Sequence, residues 1–229
     1  MTLPAVLQVG HSGIEVRLKR NLRAKRLVLR VSNVTGEATL TVPRGVARRE
    51  AEGFITSQQD WLSNQIARLG PLWSISLGSE VPIEGRMVRL ELGKGRIRRE
   101  GDILFLGGRP DTMAGRLKAY LKNLARDQLV HESEKYAGRI SRPFGKITLR
   151  DTRSRWGSCT TNGDLMYSWR LIMAPPEILS YVAAHEVAHL VEMNHSNRFW
   201  NLVSELMPEY AVHRDWLRTH GAELHKYQF

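Results

Sequence analysis

Short segments in the first half of the chain alternate apolar and polar positions, a period of two that is typical of β-strands. The pattern recurs in residues 14–20, 26–32 and 37–43. After these segments the apolar positions adopt a helical period, which predicts one helix from about Ala47 to Leu69. Residues 81–108 return to short segments separated by glycines, so further strands are expected there. The N-terminal part is therefore predicted to be β-rich with one long helix.

The second half has a mostly helical pattern. A helix is predicted from about Asp111 to roughly Ala137. Residues 146–151 and 163–173 are strand-like and predict a hairpin or part of a small sheet. The next helix should begin at the proline pair 175–176 and run to about Met193. The sum is an α+β fold with two parts, residues 1–108 and residues 109–229.

Composition narrows the setting of this fold. The chain has 229 residues, enough for one large domain or two small ones with a proper core. Cys159 is the only cysteine, which excludes an intrachain disulfide and favours a reducing compartment. The sequence has neither an 18-residue apolar run nor the pattern of a signal peptide. These features predict a cytoplasmic protein with no membrane partner.

Positive charge is concentrated near the N-terminus. The formal net charge is +11, and residues 1–50 carry ten Lys or Arg against three Glu, a net +7. Clustered cations can bind the phosphates of a nucleic acid, with counterion release as the driving force. They can equally form a solvated surface that keeps the protein soluble. The second interpretation is favoured because no base-reading motif or stacking aromatic residue lies among these charges.

The candidate chemistry lies in the sequence "HEVAH", an HExxH motif on the last predicted long helix. His185 and His189 are four residues apart, so on a helix both rings project from one face and can share a metal ion. Glu186 is rotated by about 100° from His185, which places its carboxylate beside the metal, where it can take a proton from water. The spacing therefore predicts a metal-dependent hydrolase.

A catalytic zinc site usually has three protein ligands, and His195 is the first candidate for the third. A straight helix would point His195 away from His189, so the helix must break between them. Asn194 is a plausible break because it tolerates a left-handed backbone, and Ser196 could then cap the next helix. The alternative is that the three histidines are unrelated core or surface residues, each with its own hydrogen-bond partners. A structural zinc is disfavoured because a closed site needs four ligands, usually including cysteine.

The chain also resembles a known family through an ordered set of segments. The segments of the second half are "RWGSC", "WRLIMAP", "LSYVAAHEVAHL" and "NHSNRFW", and those of the first half are "LRAKRLVLRVS" and "LTVPRGV". They resemble the YgjP-like family of bacterial metal-dependent hydrolases, a branch of the zincin-type metallopeptidases. The resemblance covers nearly the whole chain and implies a zincin-like catalytic half. It also implies one zinc ion on His185, His189 and His195, with Glu186 as the catalytic base.

The leading hypothesis is therefore a zinc-dependent peptidase that acts on a peptide or protein. By similarity to other zincins, the strand near residues 166–170 would lie beside the cleft and pair with an extended substrate. Tyr210 and His213 are candidate donors to the oxyanion. The alternative is a nucleic-acid-binding protein, or a DNA-stimulated protease, that uses the basic N-terminal half.

Other conspicuous residues are expected to be mostly structural. The aromatic residues near the motif should fill the core rather than bind substrate, namely Trp156, Trp169, Phe199 and Trp200. Arg155 and Arg170 either brace this core or bind a substrate carboxylate, and the sequence leaves both open. Cys159 is a conceivable nucleophile without an evident histidine partner. The remaining histidines of this half, His131, His220 and His225, are expected at the surface.

Overall fold

A computed structural model of the chain describes residues 6–9, 13–32, 36–67 and 72–229. The chain divides into two compact units, Met1–Leu72 and Trp73–Phe229. Six α-helices and four small sheets in the described residues confirm the α+β class. The predicted boundary at residue 108 lies inside the second unit, because the strands of residues 80–106 share one apolar core with the helices that follow them.

The first unit is a four-stranded sheet covered by helices. Its strands are β1 (Val6–Val9), β2 (Ile14–Arg20), β3 (Val28–Val31) and β4 (Ala38–Val42), in the order β1-β2-β4-β3. Alternation along the strands places Val16, Leu40 and Val42 on the buried face, where each is fully buried. These side chains pack against Ile55 and Leu62 of the helices. The predicted strands of this half are therefore confirmed.

The one helix predicted from Ala47 to Leu69 is wrong, because two shorter helices are present instead. They are α1 (Arg48–Ser57) and α2 (Gln59–Ala67). Helical geometry is interrupted at Gln58, and the hydroxyl groups of Thr56 and Ser57 donate to backbone carbonyls of the preceding turn. Such local bonds compete with a regular helix and bend it. Leu69 lies outside the described residues.

The second unit begins with the glycine-punctuated strands. They are β5 (Trp73–Ser74), β6 (Glu80–Ile83), β7 (Arg86–Leu92), β8 (Arg98–Glu100) and β9 (Ile103–Leu106). The last four form a sheet in the order β6-β7-β9-β8. The long helix α3 (Met113–Arg139) follows close to its predicted bounds. It buries one residue per turn, from Leu117 through Leu121 and Ala125 to Leu129, against the core of this unit.

A small sheet and three helices complete the second unit. The sheet strands are β10 (Ile147–Arg150), β11 (Gly157–Cys159) and β12 (Leu165–Ser168), and the helices are α4 (Pro176–Ala188), α5 (Asn197–Leu206) and α6 (Tyr210–His220). The strand β13 (Tyr227–Gln228) pairs with β5. The order β10-β12-β11 confirms a small sheet, but β10 and β12 are parallel and therefore form no hairpin. The hairpin partner of β12 is β11, which lies in the stretch interpreted as a turn.

Arg170 braces the core of this sheet and is not placed to bind a substrate. The residue is 6% exposed. Its guanidinium donates to both carboxylate oxygens of Asp151, at 2.6 and 3.3 Å. It also donates to the carbonyl oxygens of Leu224 and Tyr227, at 2.8 and 3.1 Å. Each guanidinium nitrogen thus donates to a partner within the protein, so Arg170 stabilises the fold.

None of the described helices is both long enough and apolar enough to cross a membrane. The cytoplasmic location remains a prediction.

Candidate metal centre

Helix α4 carries the HExxH motif in a densely packed environment. Pro175 and Pro176 begin the helix, as their fixed φ favours. The small residues Ala183, Ala184, Val187 and Ala188 are all fully buried. Small side chains let neighbouring elements approach the helix closely, so the functional side chains of the motif are held by a rigid element.

The end of α4 differs from the prediction. The helix stops at Ala188, not at about Met193, and the chain then turns through bonds from Leu190 and Glu192 to the carbonyls of the last helical turn. Nδ1 of His189 lies 2.9 Å from the carbonyl oxygen of Glu192, which stabilises this turn. Asn194 is not left-handed, since the non-glycine residues of positive φ in the described chain are elsewhere. A break before His195 was predicted correctly, but its position was wrong.

The break brings the three histidines together. One ring nitrogen from each of His185, His189 and His195 lies within 4.8 Å of the others, and we call this group the three-histidine centre. The Nε2 atoms of His185 and His195 are 3.1 Å apart. Two nitrogens bound to one tetrahedral zinc ion would be separated by about 3.3 Å, given Zn–N bonds of about 2.0–2.1 Å. The spacing of these donors therefore fits a metal ion of this kind.

The protonation states also suit metal binding. Burial, with a smaller effect of the neighbouring imidazoles, lowers the pKa of His185 to about 3. Burial likewise lowers the pKa of His189. Since the carbonyl of Glu192 can only accept, His189 carries its proton on Nδ1 and leaves Nε2 free for a ligand bond. Both imidazoles are neutral near pH 7, as a metal ligand must be.

Aromatic rings hold the centre on the side of α5. Phe199 is fully buried and stacks on the ring of His189, with centroids 4.4 Å apart. Trp200 stacks on His195 at 5.7 Å, and Tyr210 stacks in turn on Trp200 at 5.4 Å. Ser196 precedes α5 as predicted, although its side chain makes no capping bond. The expected packing role of Phe199 and Trp200 agrees with these contacts.

Glu186 lies beside the centre in an environment that disfavours its charge. The residue is 5% exposed. Burial raises the pKa of its carboxyl to about 8, and the positive charge of Arg155 partly opposes this shift. A carboxylate with a raised pKa is a stronger base than an exposed one, and its pKa lies near the operating pH. The pKa therefore lies near neutrality, where both the protonated and the ionised forms of the carboxyl are populated.

Gly157 provides the space for the carboxylate. A Cβ at this position would overlap Oε1, Cγ and Cδ of Glu186. The overlapping atoms belong to a buried side chain, so an alanine would have to displace the carboxylate from the centre. The glycine of the "RWGSC" segment is therefore required by close approach, a function that sequence reasoning missed.

With Glu186 as the base that the resemblance implies, we expect Gly157→Ala to lower kcat/KM for peptide hydrolysis by about a hundredfold, since displacement of a catalytic group by about 1 Å has costs of this size. The metal content should not change, because the substitution does not touch the histidines. Gly115→Ala is the matched control, since a Cβ there meets no neighbour within 4 Å. Full activity in Gly157→Ala would contradict the assigned contact.

The centre opens into a cleft of about 580 Å³. Besides the three histidines, Glu186 and β11, the cleft is lined by Ser154, Arg155, Trp156, Tyr181, Val182, Met193 and Leu217. Tyr181 lies one turn before His185, and burial raises its pKa to about 12, so its hydroxyl stays protonated and can donate a hydrogen bond. Tyr210 and His213, the donors proposed from the sequence, are not among the described residues that line the cleft.

Comparison with known proteins gives the same chemistry. The family model described as the YgjP-like metallopeptidase domain matches residues 25–220, which is most of the chain. The chain belongs to the YgjP-like family. It is therefore a metal-dependent peptidase, as the sequence predicted, and peptides or proteins are its class of substrate.

Other comparisons with the YgjP-like chain are more distant. One similar solved structure is the crystal structure of the metallopeptidase zymogen of Pyrococcus abyssi abylysin, at 25% identity and a TM-score of 0.36. The match covers 42% of this chain and 92% of that chain. No curated protein sequence matches the chain. The family assignment rests on the family model alone.

The YgjP-like domain presents β11 as an open strand edge to the cleft. β11 is the edge strand of its sheet, whereas β12 is central, so the strand predicted to pair with a substrate was the wrong one. The Trp156 carbonyl accepts from the Ser168 N–H of β12, and the Thr160 N–H donates to the carbonyl of Asp164, just before β12. Because successive residues of a strand alternate, the N–H and C=O groups of Gly157 and Cys159 point to the open edge. An extended chain can bond to these groups.

Two further residues near the YgjP-like centre behave differently from expectation. Burial raises the pKa of Cys159 to about 11, so the thiol stays protonated and is a poor nucleophile. His225, expected at the surface, is only 4% exposed and packs against Trp156 with ring centroids 5.1 Å apart. Burial, aided by Arg170, lowers its pKa to about 4. The Cys159 thiol is therefore no candidate nucleophile, and His225 belongs to the packed interior.

Proposed function

We propose that the chain is a zinc peptidase in which His185, His189 and His195 bind one zinc ion per chain and Glu186 is the general base. The observation that carries the proposal is the convergence of three imidazoles beside a buried carboxylate in an open cleft. Three protein ligands leave a fourth position for water or substrate, as in catalytic zinc sites.

The donor set favours a transition metal such as zinc over magnesium or calcium. Three neutral imidazoles suit zinc, whereas magnesium and calcium require oxygen ligands. The 3.1 Å separation of two of the donors is close to that expected for tetrahedral zinc. His189 is oriented by the Glu192 carbonyl, the type of outer-shell contact that raises metal affinity.

The chemistry follows from the neighbours of the centre. The three histidines would hold the zinc ion, which when bound would supply Lewis-acid chemistry, lowering the pKa of a water toward about 7 and polarising a carbonyl. Glu186 accepts a proton from the attacking water and then delivers it to the leaving nitrogen. Gly157 and Cys159 align the substrate backbone along β11, and Tyr181 can donate to the oxygen that gains charge. Each step uses a group that lines the cleft.

We expect removal of the metal with a strong zinc chelator to abolish hydrolysis of a peptide mixture, and stoichiometric zinc to restore it. The measurement is the appearance of new N-termini, followed by mass spectrometry. A dicarboxylate of equal charge that cannot chelate zinc is the control for ionic effects. Hydrolysis that continues at full rate in metal-free protein would refute the proposal.

A second candidate function is supported by the charges of the first unit. The parallel strands β2 and β4 end side by side, at Arg20 and Val42. Five exposed cations lie at the ends of these strands or in the residues that follow them: Arg20, Arg23, Lys25, Arg26 and Arg44. Within the described residues, none of the five forms an ion pair. Such a cluster favours a polyanion, and we propose nucleic acid as its ligand.

Fluorescence anisotropy with a labelled oligonucleotide tests this second function. Binding should weaken with salt, with a slope of log K against log salt no steeper than about −4.5 for five contacts to duplex phosphates. It should persist after chelation and weaken further in the double variant Arg23→Glu, Lys25→Glu. Absence of binding at low salt would eliminate this function. Peptide cleavage that rises on addition of DNA would favour the DNA-stimulated protease.

A further inference from the structure

The cleft has a direction, which the contacts of β11 establish. The strand starts beside Glu186, where Gly157 abuts the carboxylate. It then leads to the turn at Gly163, where a Cβ would lie 3.4 Å from Cδ2 of Leu190. Leu190 comes after Glu186 along the chain, just beyond the end of α4. β11 and α4 therefore run in the same direction.

This direction determines which end of the cleft receives each part of a substrate. An extended peptide that adds to β11 in the antiparallel sense, the slightly more stable pairing, runs from the side of Cys159 toward the side of Trp156. The end near Trp156 includes Tyr181 and Val182, which lie one turn before the metal ligands on α4. Residues C-terminal to the scissile bond would occupy this end.

Arg155 is the charged group at this end of the cleft. Apart from the histidines, Arg155 and Glu186 are the charged residues among the described residues of the lining. No described carboxylate forms an ion pair with Arg155, and its side chain is exposed to the cleft. Its backbone is held in place, since the hydroxyl of Thr152 donates to the Arg155 carbonyl at 2.8 Å. The guanidinium is therefore a cation on an anchored loop.

We infer that Arg155 binds a carboxylate on the C-terminal side of the scissile bond, so that the preferred substrates are peptides with an acidic group there. The group is either an Asp or Glu side chain or the C-terminal carboxylate of the peptide. Guanidinium binds both through the same two parallel hydrogen bonds. The inference rests on the proposed peptidase function. It adds a class of substrate, acidic peptides, and the residue that recognises the acidic group, Arg155.

The first experiment digests a library of natural peptides with the zinc-loaded protein and identifies the cut positions by mass spectrometry. Acidic groups should be enriched within the few residues C-terminal to the cut. Arg155→Gln should lower kcat/KM for such peptides by about tenfold or more, because a charge-assisted pair is lost. Arg153→Gln is the matched control, since it makes the same charge change at a residue outside the described lining of the cleft.

Binding gives a second readout that does not depend on turnover. One cleaved peptide is labelled, and its affinity for the zinc-loaded Glu186→Gln variant is measured by anisotropy, with and without Arg155→Gln. Asp→Asn in the peptide tests whether Arg155 binds an acidic side chain, and amidation of the peptide C-terminus tests whether it binds the terminal carboxylate. The change that removes the bound carboxylate should weaken binding only while Arg155 is present, and unchanged binding after both changes would overturn the inference.

The outcomes separate the two proposals. Cleavage without acidic enrichment, or an acidic preference that survives Arg155→Gln, would overturn the role of Arg155 and leave the peptidase intact. Enrichment on the N-terminal side of the cut would overturn the direction and with it the inference. Absence of any cleavage by zinc-loaded protein would refute the proposed function, and this inference would fall with it.

Discussion

Glu186→Gln is expected to lower kcat/KM for peptide hydrolysis by about 10²–10⁴-fold, the range for a lost general base, while zinc content stays at one per chain. The amide has almost the same shape as the carboxylate, so the contact with Gly157 persists. It cannot accept the proton of the attacking water. The measurements are hydrolysis rate and metal content on the same preparation.

Glu177→Gln is the control for this variant, because Glu177 is exposed in the first turn of the same helix. Full activity in Glu186→Gln would contradict the mechanism.

Stability of the metal-free protein gives an independent check on the buried carboxylate. The pKa of Glu186 is raised to about 8 in the folded state, above the value near 4.5 for an exposed carboxyl. The folded state therefore binds more protons than the unfolded state, and the free energy of unfolding falls as pH rises from about 4.5 to about 8. Glu186→Gln should remove a decline on the order of 5 kcal/mol, which thermal unfolding across this range would detect.

His195→Ala is expected to weaken zinc binding by a hundredfold or more, since loss of an outer-shell partner alone costs about 10–100-fold. Zinc per chain, measured after dialysis, should fall from one to well below one. His195 is exposed, so the variant should fold normally without metal.

His131→Ala is the matched control, because His131 is exposed on α3 and is not part of the three-histidine centre. Unchanged zinc affinity in His195→Ala would remove His195 from the ligand set.

The sequence predicted the features of the site that depend on helical geometry. The spacing of His185 and His189 requires one face of a helix, and any third ligand beyond them requires a break. The break itself depended on a contact that spacing does not reveal, namely the bond between the His189 ring and the Glu192 carbonyl. Its predicted position at Asn194 was wrong for that reason.

Features set by tertiary contacts were missed. β11 has the sequence "GSC", with no β-branched or aromatic residue, and forms a strand because it pairs with β12. The boundary at residue 108 was inferred from glycines, whereas the buried residues of β6–β9 and α3 form one core. The buried state of His225 depends on packing against Trp156, which nothing in the local sequence indicates.

The open edge of β11 has a consequence for the behaviour of the protein in solution. Unpaired strand edges are sites where copies of a protein associate and aggregate, and most proteins cover them. A peptidase that binds substrates by strand addition cannot cover its edge. The net charge of +11 separates copies electrostatically, and this repulsion weakens as salt shortens the Debye length from about 8 Å at physiological ionic strength to 3 Å at 1 M. If substrates add to this edge as proposed, the basic composition would help to keep copies apart while the edge stays accessible.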